Sequence, residues 1–487
     1  MAQKAVWVRV PPSAPGLHFL KDILSLKSPS LKKNSQPRIL LINPWIYDFT
    51  AYDFWMKPLG LLYMASLIQK HTPAQIEFID CLDRYHPLLE KKQKTKKDGR
   101  GPFPKTEVTK PEVLKNVPRK FSRYGIPLEL FEHELEDIQK VDLVLLTCTM
   151  TYWYPGVQYV VEIVKKKFGD VPVVLGGVYP TLLPEHAQKE SGADIIIQGP
   201  GEKKILPLLN NLFGDKFCSA LSLENLDDFP LPAFHWLRDQ ESLPIMTSRG
   251  CPFNCSFCAG PILYENFTQR NPSSVVKEIT HLVHHYKTRN IAFYDDALLV
   301  HKKKHLHPIL NDLIKQKLPL AFHTPNGLHI KDIDQKTAEL FFKADFKSLF
   351  LSQETFDSNI IHQSCPKISP GDLEKAVKNL KQAGYAKKDI NVYLLTGLPG
   401  QNFQSVKQSI ERVLQLGLRP RLAYFSPVPK TPDWKKLISE KRLNPNHDPL
   451  LHNKLVAPYY WGDISPQEFN SLKNTIHLDY SQVEVVT

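Results

Sequence analysis

Three thiols carry the strongest chemical signal in this chain. Cys251, Cys255 and Cys258 are spaced CxxxCxxC in the run Ser248-Arg249-Gly250-Cys251-Pro252-Phe253-Asn254-Cys255-Ser256-Phe257-Cys258. Thiolates at such short intervals can wrap one soft metal centre, and they select zinc or an iron–sulfur cluster. Structural zinc normally takes four protein ligands, yet no fourth Cys or His follows at a short conventional spacing. Three thiolates on a four-iron cluster, by contrast, leave one iron open to a substrate or cosubstrate. The competing reading is zinc completed by a distant His or by Cys365. The remaining cysteines, Cys81, Cys148, Cys218 and Cys365, are scattered. That usage fits a reduced, cytoplasmic chain with one metal cluster better than a disulfide framework.

Alternating strands and helices must position that loop. From Arg38 onward, Ile39–Ile42, Gln75–Asp80, Val141–Thr147, Val171–Leu175 and Ala193–Gln198 read as strands. Helices are expected at 59–69, at 157–168 and from about Glu202. Continuous apolar strands between helices predict a doubly wound parallel sheet, covered on both faces, over residues 38–225. Ligands of such sheets sit at the strand carboxyl ends, where Asn43, Thr147–Thr149, Gly176 and Gly177 fall. An insertion at 85–139 interrupts the pattern. After a linker, strand–helix units resume at Ile245–Thr247, Ile291–Tyr294, Leu320–His323, Ser348–Leu351, Asn391–Leu395 and Leu422–Phe425. One of their helices is expected to begin at Pro370, capped by Ser369 and closed by Gly384. Six units are too few for a closed eight-stranded barrel and suit an open, partial (β/α)6 TIM-type barrel over 240–434. Residues 435–487 form a C-terminal extension. Residues 1–37, poor in acids and irregular, read as a disordered extension or a start codon assigned too early.

The 487 residues exceed one hydrophobic core, and 42% apolar with 23% charged residues exclude wholesale disorder. A mean hydropathy of −0.29 and the lack of a long uncharged apolar run predict no membrane span. The 62 basic residues exceed the 50 acidic ones by 12. Eleven Lys and Arg lie within Lys91–Lys120, read as a solvated basic loop; nucleic acid is not the expected partner. His281, His284 and His285 share a helix without a paired acid and read as a solvated face. Cys365 reads as an inert thiol.

The cysteine loop, with Phe257 directly before its third Cys, resembles the radical SAM superfamily. The resemblance runs from about Ile245 to Trp434. Phe293-Tyr294-Asp295-Asp296 stands where that superfamily places polar groups near the methionine moiety of S-adenosylmethionine (SAM), which points to Asp295. Leu351-Ser352-Gln353-Glu354-Thr355 is similar to the segment bordering the SAM ribose, which points to Glu354. Leu395-Thr396-Gly397-Leu398-Pro399-Gly400 is similar to the glycine-proline turn at the adenine, which points to Gly397 and Pro399. The N-terminal unit resembles the Rossmann-like domain of the cobalamin-binding class through Val174-Leu175-Gly176-Gly177-Val178-Tyr179-Pro180 and Ala193–Glu202. There Gly176 and Gly177 would lie against the corrinoid's nucleotide tail. The DxHxxG motif that supplies a cobalt ligand in one subset is absent, because Asn43–Asp48 contains no His. Cobalamin could then bind without a histidine, covered by Trp45 or Tyr152, or the domain could keep the fold without the cofactor. The resemblance implies a 4Fe-4S cluster on Cys251, Cys255 and Cys258, SAM, cobalamin in this class, and a reductase such as flavodoxin or ferredoxin. It further implies a small-molecule or peptide substrate and methylation of an unactivated carbon. Rearrangement, cyclisation or oxidation without methyl transfer, a tRNA methylthiotransferase, and a non-catalytic metal-binding protein are the alternatives.

Overall fold

The computed structural model describes residues 36–483 apart from 215, 216 and 220. The expectation for residues 1–37 therefore lies, but for Gln36 and Pro37, outside the described residues. Five strands build the first sheet: β1 (Arg38–Asn43), β2 (Gln75–Asp80), β3 (Leu143–Cys148), β4 (Val173–Gly177) and β5 (Ile195–Ile196). All pair in parallel in the order β5-β4-β3-β1-β2. The unbroken apolar run of β1 follows from two-sided burial: Ile39 and Leu41 enter one core cluster, Leu40 and Ile42 the other. Strand order reverses between β1 and β3, which opens a crevice at their carboxyl ends.

The second sheet holds β6 (Ser242–Ile245), β7 (Asn290–Phe293), β8 (Ala321–His323), β9 (Phe346–Glu354), β10 (Ile390–Thr396) and β11 (Arg419–Tyr424). These run parallel in chain order, and among the described residues β11 does not pair back with β6. The barrel is open, as six units require. Strand alternation gives it two unlike faces. Leu243, Ile291, Phe322, Leu349 and Val392 pack outward in the main apolar cluster. Ser242, Asn290, His323, Ser348, Asn391 and Arg421 share the inner face. Asn290 Nδ2 donates to Ser242 Oγ at 3.3 Å, and the His323 ring bonds Ser348 and Asn290 at 3.1 Å each. Arg421 Nε donates to Asn391 Oδ1 at 2.9 Å.

That polar lumen is filled from the N-terminal unit. Trp55 stacks on His323 with ring centroids 4.4 Å apart, and Phe54 meets Phe350 at 5.5 Å. The Arg100 guanidinium covers both aromatic rings at 4.7 and 4.8 Å. Arg100 belongs to the insertion, which is therefore no solvated loop. Its strands Lys105–Val108 and Phe121–Tyr124 join Ile46–Asp48 in an antiparallel layer. Phe103, Leu114, Phe121, Ile126, Phe131 and Leu135 are buried there; apolar residues between the lysines decide the outcome. The C-terminal extension bridges both units. Phe425 of the barrel meets Trp461 at 5.8 Å. On the other side Tyr154 donates to Asp448 at 3.0 Å, and Asn453 Nδ2 donates to Asp48 at 2.8 Å.

Candidate active site at the cysteine loop and the interdomain cleft

The cysteine loop leaves the carboxyl end of β6 and is pinned at its base. Ser248–Arg249 pairs antiparallel with Thr268–Gln269, closing the loop on itself. Gly250 holds φ +77, and a Cβ there would stand 2.8 Å from Asn266 O, so only glycine fits the turn. Asp295, expected beside SAM, turns its carboxylate to this base instead. It accepts from Thr247 N at 3.1 Å, Thr247 Oγ1 at 2.7 Å and Ser248 Oγ at 2.5 Å. The neighbouring Asp296 is exposed and lies close enough to Cys251 and Cys258 to act on them electrostatically. Although the residue as a whole reaches solvent, its carboxyl is partly desolvated, and this, with Asp295 beside it, pushes the carboxyl up to about 6.

Burial raises all three thiols above their ordinary value, Cys255 to about 12. The Lys367 ammonium acts on each of them in the opposite sense. Gly260 N donates to Cys258 Sγ at 3.3 Å. Among the described residues no three His, Cys, Asp or Glu side chains converge as ligands of a single ion do. Phe257 is half-buried and packs toward the cluster of Leu398, Phe425 and Trp434.

Glu354 ends β9 at a register slip, with φ +59. Such bulges re-aim a side chain, and here the carboxylate meets Lys367 Nζ at 2.9 Å, both side chains buried. Burial opposes the Lys367 charge, but Glu354 holds its pKa above the ordinary lysine value. Cys365 is buried near Cys255 and Glu354, and its thiol is raised by burial. Gly397 holds φ +89, and a Cβ on it would project into open space. Its N–H and that of Leu398 donate to Gln401 Oε1 at 2.9 and 3.3 Å, while Pro399 O accepts from Lys436 Nζ at 3.3 Å. Lys367 and Gln401 escaped the sequence reading. Neither belongs to a short motif, and only the folded turn shows their partners.

A second concavity opens at the carboxyl ends of β3, β4 and β5. Gly60, Gly176 and Gly199 form part of its wall, and a Cβ on Gly176 or Gly60 would meet nothing within 4 Å. Gly177 differs: it holds φ +100, and its Cβ would stand 2.6 Å from Cys148 O. Thr181 Oγ1 donates to Gly177 O and accepts from Gly199 N, tying the two loops together at 2.7 and 2.8 Å. Leu263 and Tyr264, just past the cysteine loop, complete the wall from the barrel side. An apolar, glycine-walled slot of this kind fits an extended organic group such as a nucleotide tail. Arg249, two residues before Cys251, forms a buried ion pair with Glu202 at the cleft edge and lies over Tyr63 and Phe229.

Other candidates play structural parts. Trp45 is 1% exposed and donates to Ile126 O at 2.7 Å, with Phe131 against its ring at 4.7 Å. It anchors a loop, and Tyr152 is likewise buried. Cys81, Cys148 and Cys218 are buried with thiol pKa values raised by burial, Cys148 to about 12 and Cys218 to about 11. His281 and His285 stack on each other at 5.0 Å on an exposed helix face.

Residues 245–413 match the radical SAM superfamily, and residues 122–208 match the B12 binding domain. The chain is 24% identical over 330 residues to an uncharacterized methyltransferase, PH0819, of Pyrococcus horikoshii, covering 62% of this chain and 70% of that one. It is 22% identical over 282 residues to the anaerobic magnesium-protoporphyrin IX monomethyl ester cyclase of Rubrivivax gelatinosus, covering 51% of this chain and 50% of that one. For several curated relatives the matched part spans only about half of their length. Its fold is similar to the radical SAM methyltransferase TsrM of Kitasatospora setae, solved with cobalamin and a [4Fe-4S] cluster. The TM-score is 0.62 at 15% identity, covering 90% of this chain and 91% of that one.

Proposed function

We propose, for a chain that belongs to the radical SAM superfamily and carries a B12-binding domain ahead of its barrel, a cobalamin-dependent methyltransferase acting on an unactivated carbon. The observation that carries this reading is a shared wall. Leu263 and Tyr264, five and six residues beyond Cys258, line the same cleft as Gly176 and Gly177. The cysteine loop and the glycine-walled slot thus border one space.

When bound, a reduced 4Fe-4S cluster supplies the electron that cleaves SAM, and cobalamin supplies a transferable methyl group. Cys251, Cys255 and Cys258 would hold the cluster as thiolates. Because burial raises their pKa values, loading must displace protons, and the Lys367 cation helps to offset the new negative charge. Glu354, Gly397 and Pro399 would border SAM, with Phe257 packed behind the third cysteine and Asp296 facing the thiols. Gly176 and Gly177 would form the floor for the corrinoid tail. The packed barrel lumen excludes water below the cluster, which matters for any reactive radical. A small-molecule or peptide substrate would enter from the cleft. An acidic flavodoxin or ferredoxin would deliver the electron, in the cytoplasm, where thiols stay reduced. Among the described residues no helix is long and apolar enough to cross a membrane.

Anaerobic reconstitution with iron, sulfide and hydroxocobalamin, then desalting, should leave both iron–sulfur and corrin absorbance on the protein. Replacing the three cysteines by Ala should abolish the iron–sulfur absorbance and SAM cleavage; cleavage that persists refutes the assignment. Similarity to a cyclase favours one second reading, radical oxidation or cyclisation without methyl transfer. Mass spectrometry of products made from methyl-labelled SAM separates the two.

A further inference from the structure

His329 is a buried polar side chain that the site described above does not use. It ends the two-residue strand Leu328–His329, which pairs in parallel with Leu351 and Ser352 of β9. By that register it shares the lumen face with Ser352, near the carboxyl end of the barrel. Its ring is 6% exposed and meets Phe253, between the first two cysteines, at 4.7 Å in an edge-to-face contact. Burial, and after it the Lys367 charge, pushes its pKa down to about 3, so the ring is neutral, with one donor and one acceptor nitrogen.

Among the described residues His329 Nδ1 has no hydrogen-bond partner, although it is sealed from solvent. Other buried barrel histidines are not left so. His323 uses both nitrogens, His305 bonds Thr247 at 3.0 Å and His307 bonds Thr337 at 3.0 Å. A buried ring nitrogen left unmet is unfavourable, and this one, fixed beside the cysteine loop while the neighbouring barrel histidines are paired, calls for a partner from outside the chain. Phe253 and Lys367 set the place of that partner: against the cysteine loop, on the lumen side. The cysteine loop would hold the cluster and its cosubstrate on this side, which makes SAM the candidate for that partner.

We propose that His329 contacts SAM by a hydrogen bond from its imidazole, holding the cosubstrate from the lumen side. The inference rests on the cluster-and-SAM reading above. It is tested on the full chain, reconstituted anaerobically, by equilibrium dialysis with labelled SAM and no substrate. His329→Phe should weaken SAM binding about tenfold, the loss of roughly one hydrogen bond. His329→Asn, whose amide can stand where Nδ1 stands, should stay within about threefold of wild type on the same basis. Iron content and cluster absorbance should be equal in all three. His329→Leu serves as a second apolar variant should Phe crowd Phe253 and lower iron content, and the same loss is expected. Wild-type affinity in an iron-replete apolar variant overturns the contact alone. A wild-type protein that loads no cluster or binds no SAM overturns the function proposed above, and this contact with it.

Discussion

At the scale of single residues, buried charge governs the site. Lys367 and Glu354 form a pair whose side chains are 11% and 8% exposed. Removing one partner strands the other, which costs about 3–5 kcal/mol for a buried pair. Lys367→Met should therefore lower unfolding stability by that order, read by chemical denaturation. Adding Glu354→Gln should recover much of the loss, the signature of a coupled pair. Asp296 makes a prediction in pH. Its folded value of about 6 lies above the ordinary 3.8, so between these values the native state keeps a proton that the unfolded chain has released. Its contribution thus favours folding at low pH and is lost as pH rises from about 4 to about 6. Asp296→Asn should remove that part of the pH slope in denaturation midpoints, and an unchanged slope would contradict the assignment.

At the scale of elements, adjacent glycines do unlike work. Gly177 occupies a left-handed conformation against Cys148 O, whereas Gly176 simply leaves the cleft open. Gly177→Ala should destabilise the fold by about 1–3 kcal/mol through backbone strain, visible as a lower Tm. Gly176→Ala should melt normally yet retain less hydroxocobalamin after desalting. Element boundaries were less legible than element types. β6 begins at Ser242, not Ile245, because Pro244 lies on an edge strand, where a missing N–H is tolerated. The helix expected from Pro370 starts at Asp372: Gly371 holds φ +85, and the Asp372 carboxylate accepts from Ser369 N at 2.8 Å. Local turn chemistry there outcompeted the Pro-first start.

At the scale of the whole molecule, the two units are joined at the cleft. The Arg249–Glu202 pair is buried between them, at the point where the cysteine loop and the glycine-walled slot adjoin. Glu202→Ala should leave the guanidinium unpaired, at about 3–5 kcal/mol. We expect faster proteolysis within 221–241 and weaker corrin retention, even though Glu202 is remote in sequence from Cys251, Cys255 and Cys258. The sequence by itself determined the cysteine spacing, the alternation of apolar strands with helices and the paired glycines, since each is a short-range pattern with a direct chemical or steric meaning. Only the tertiary structure decided that Asp295 clamps the loop base, that Lys367 faces Glu354, that Trp55 and Arg100 fill the barrel, and that His329 keeps an unmet nitrogen beside the cysteine loop. Those outcomes depend on which distant side chains share one low-dielectric space. Burial, not spacing, determines where a charge or a hydrogen bond must find its partner.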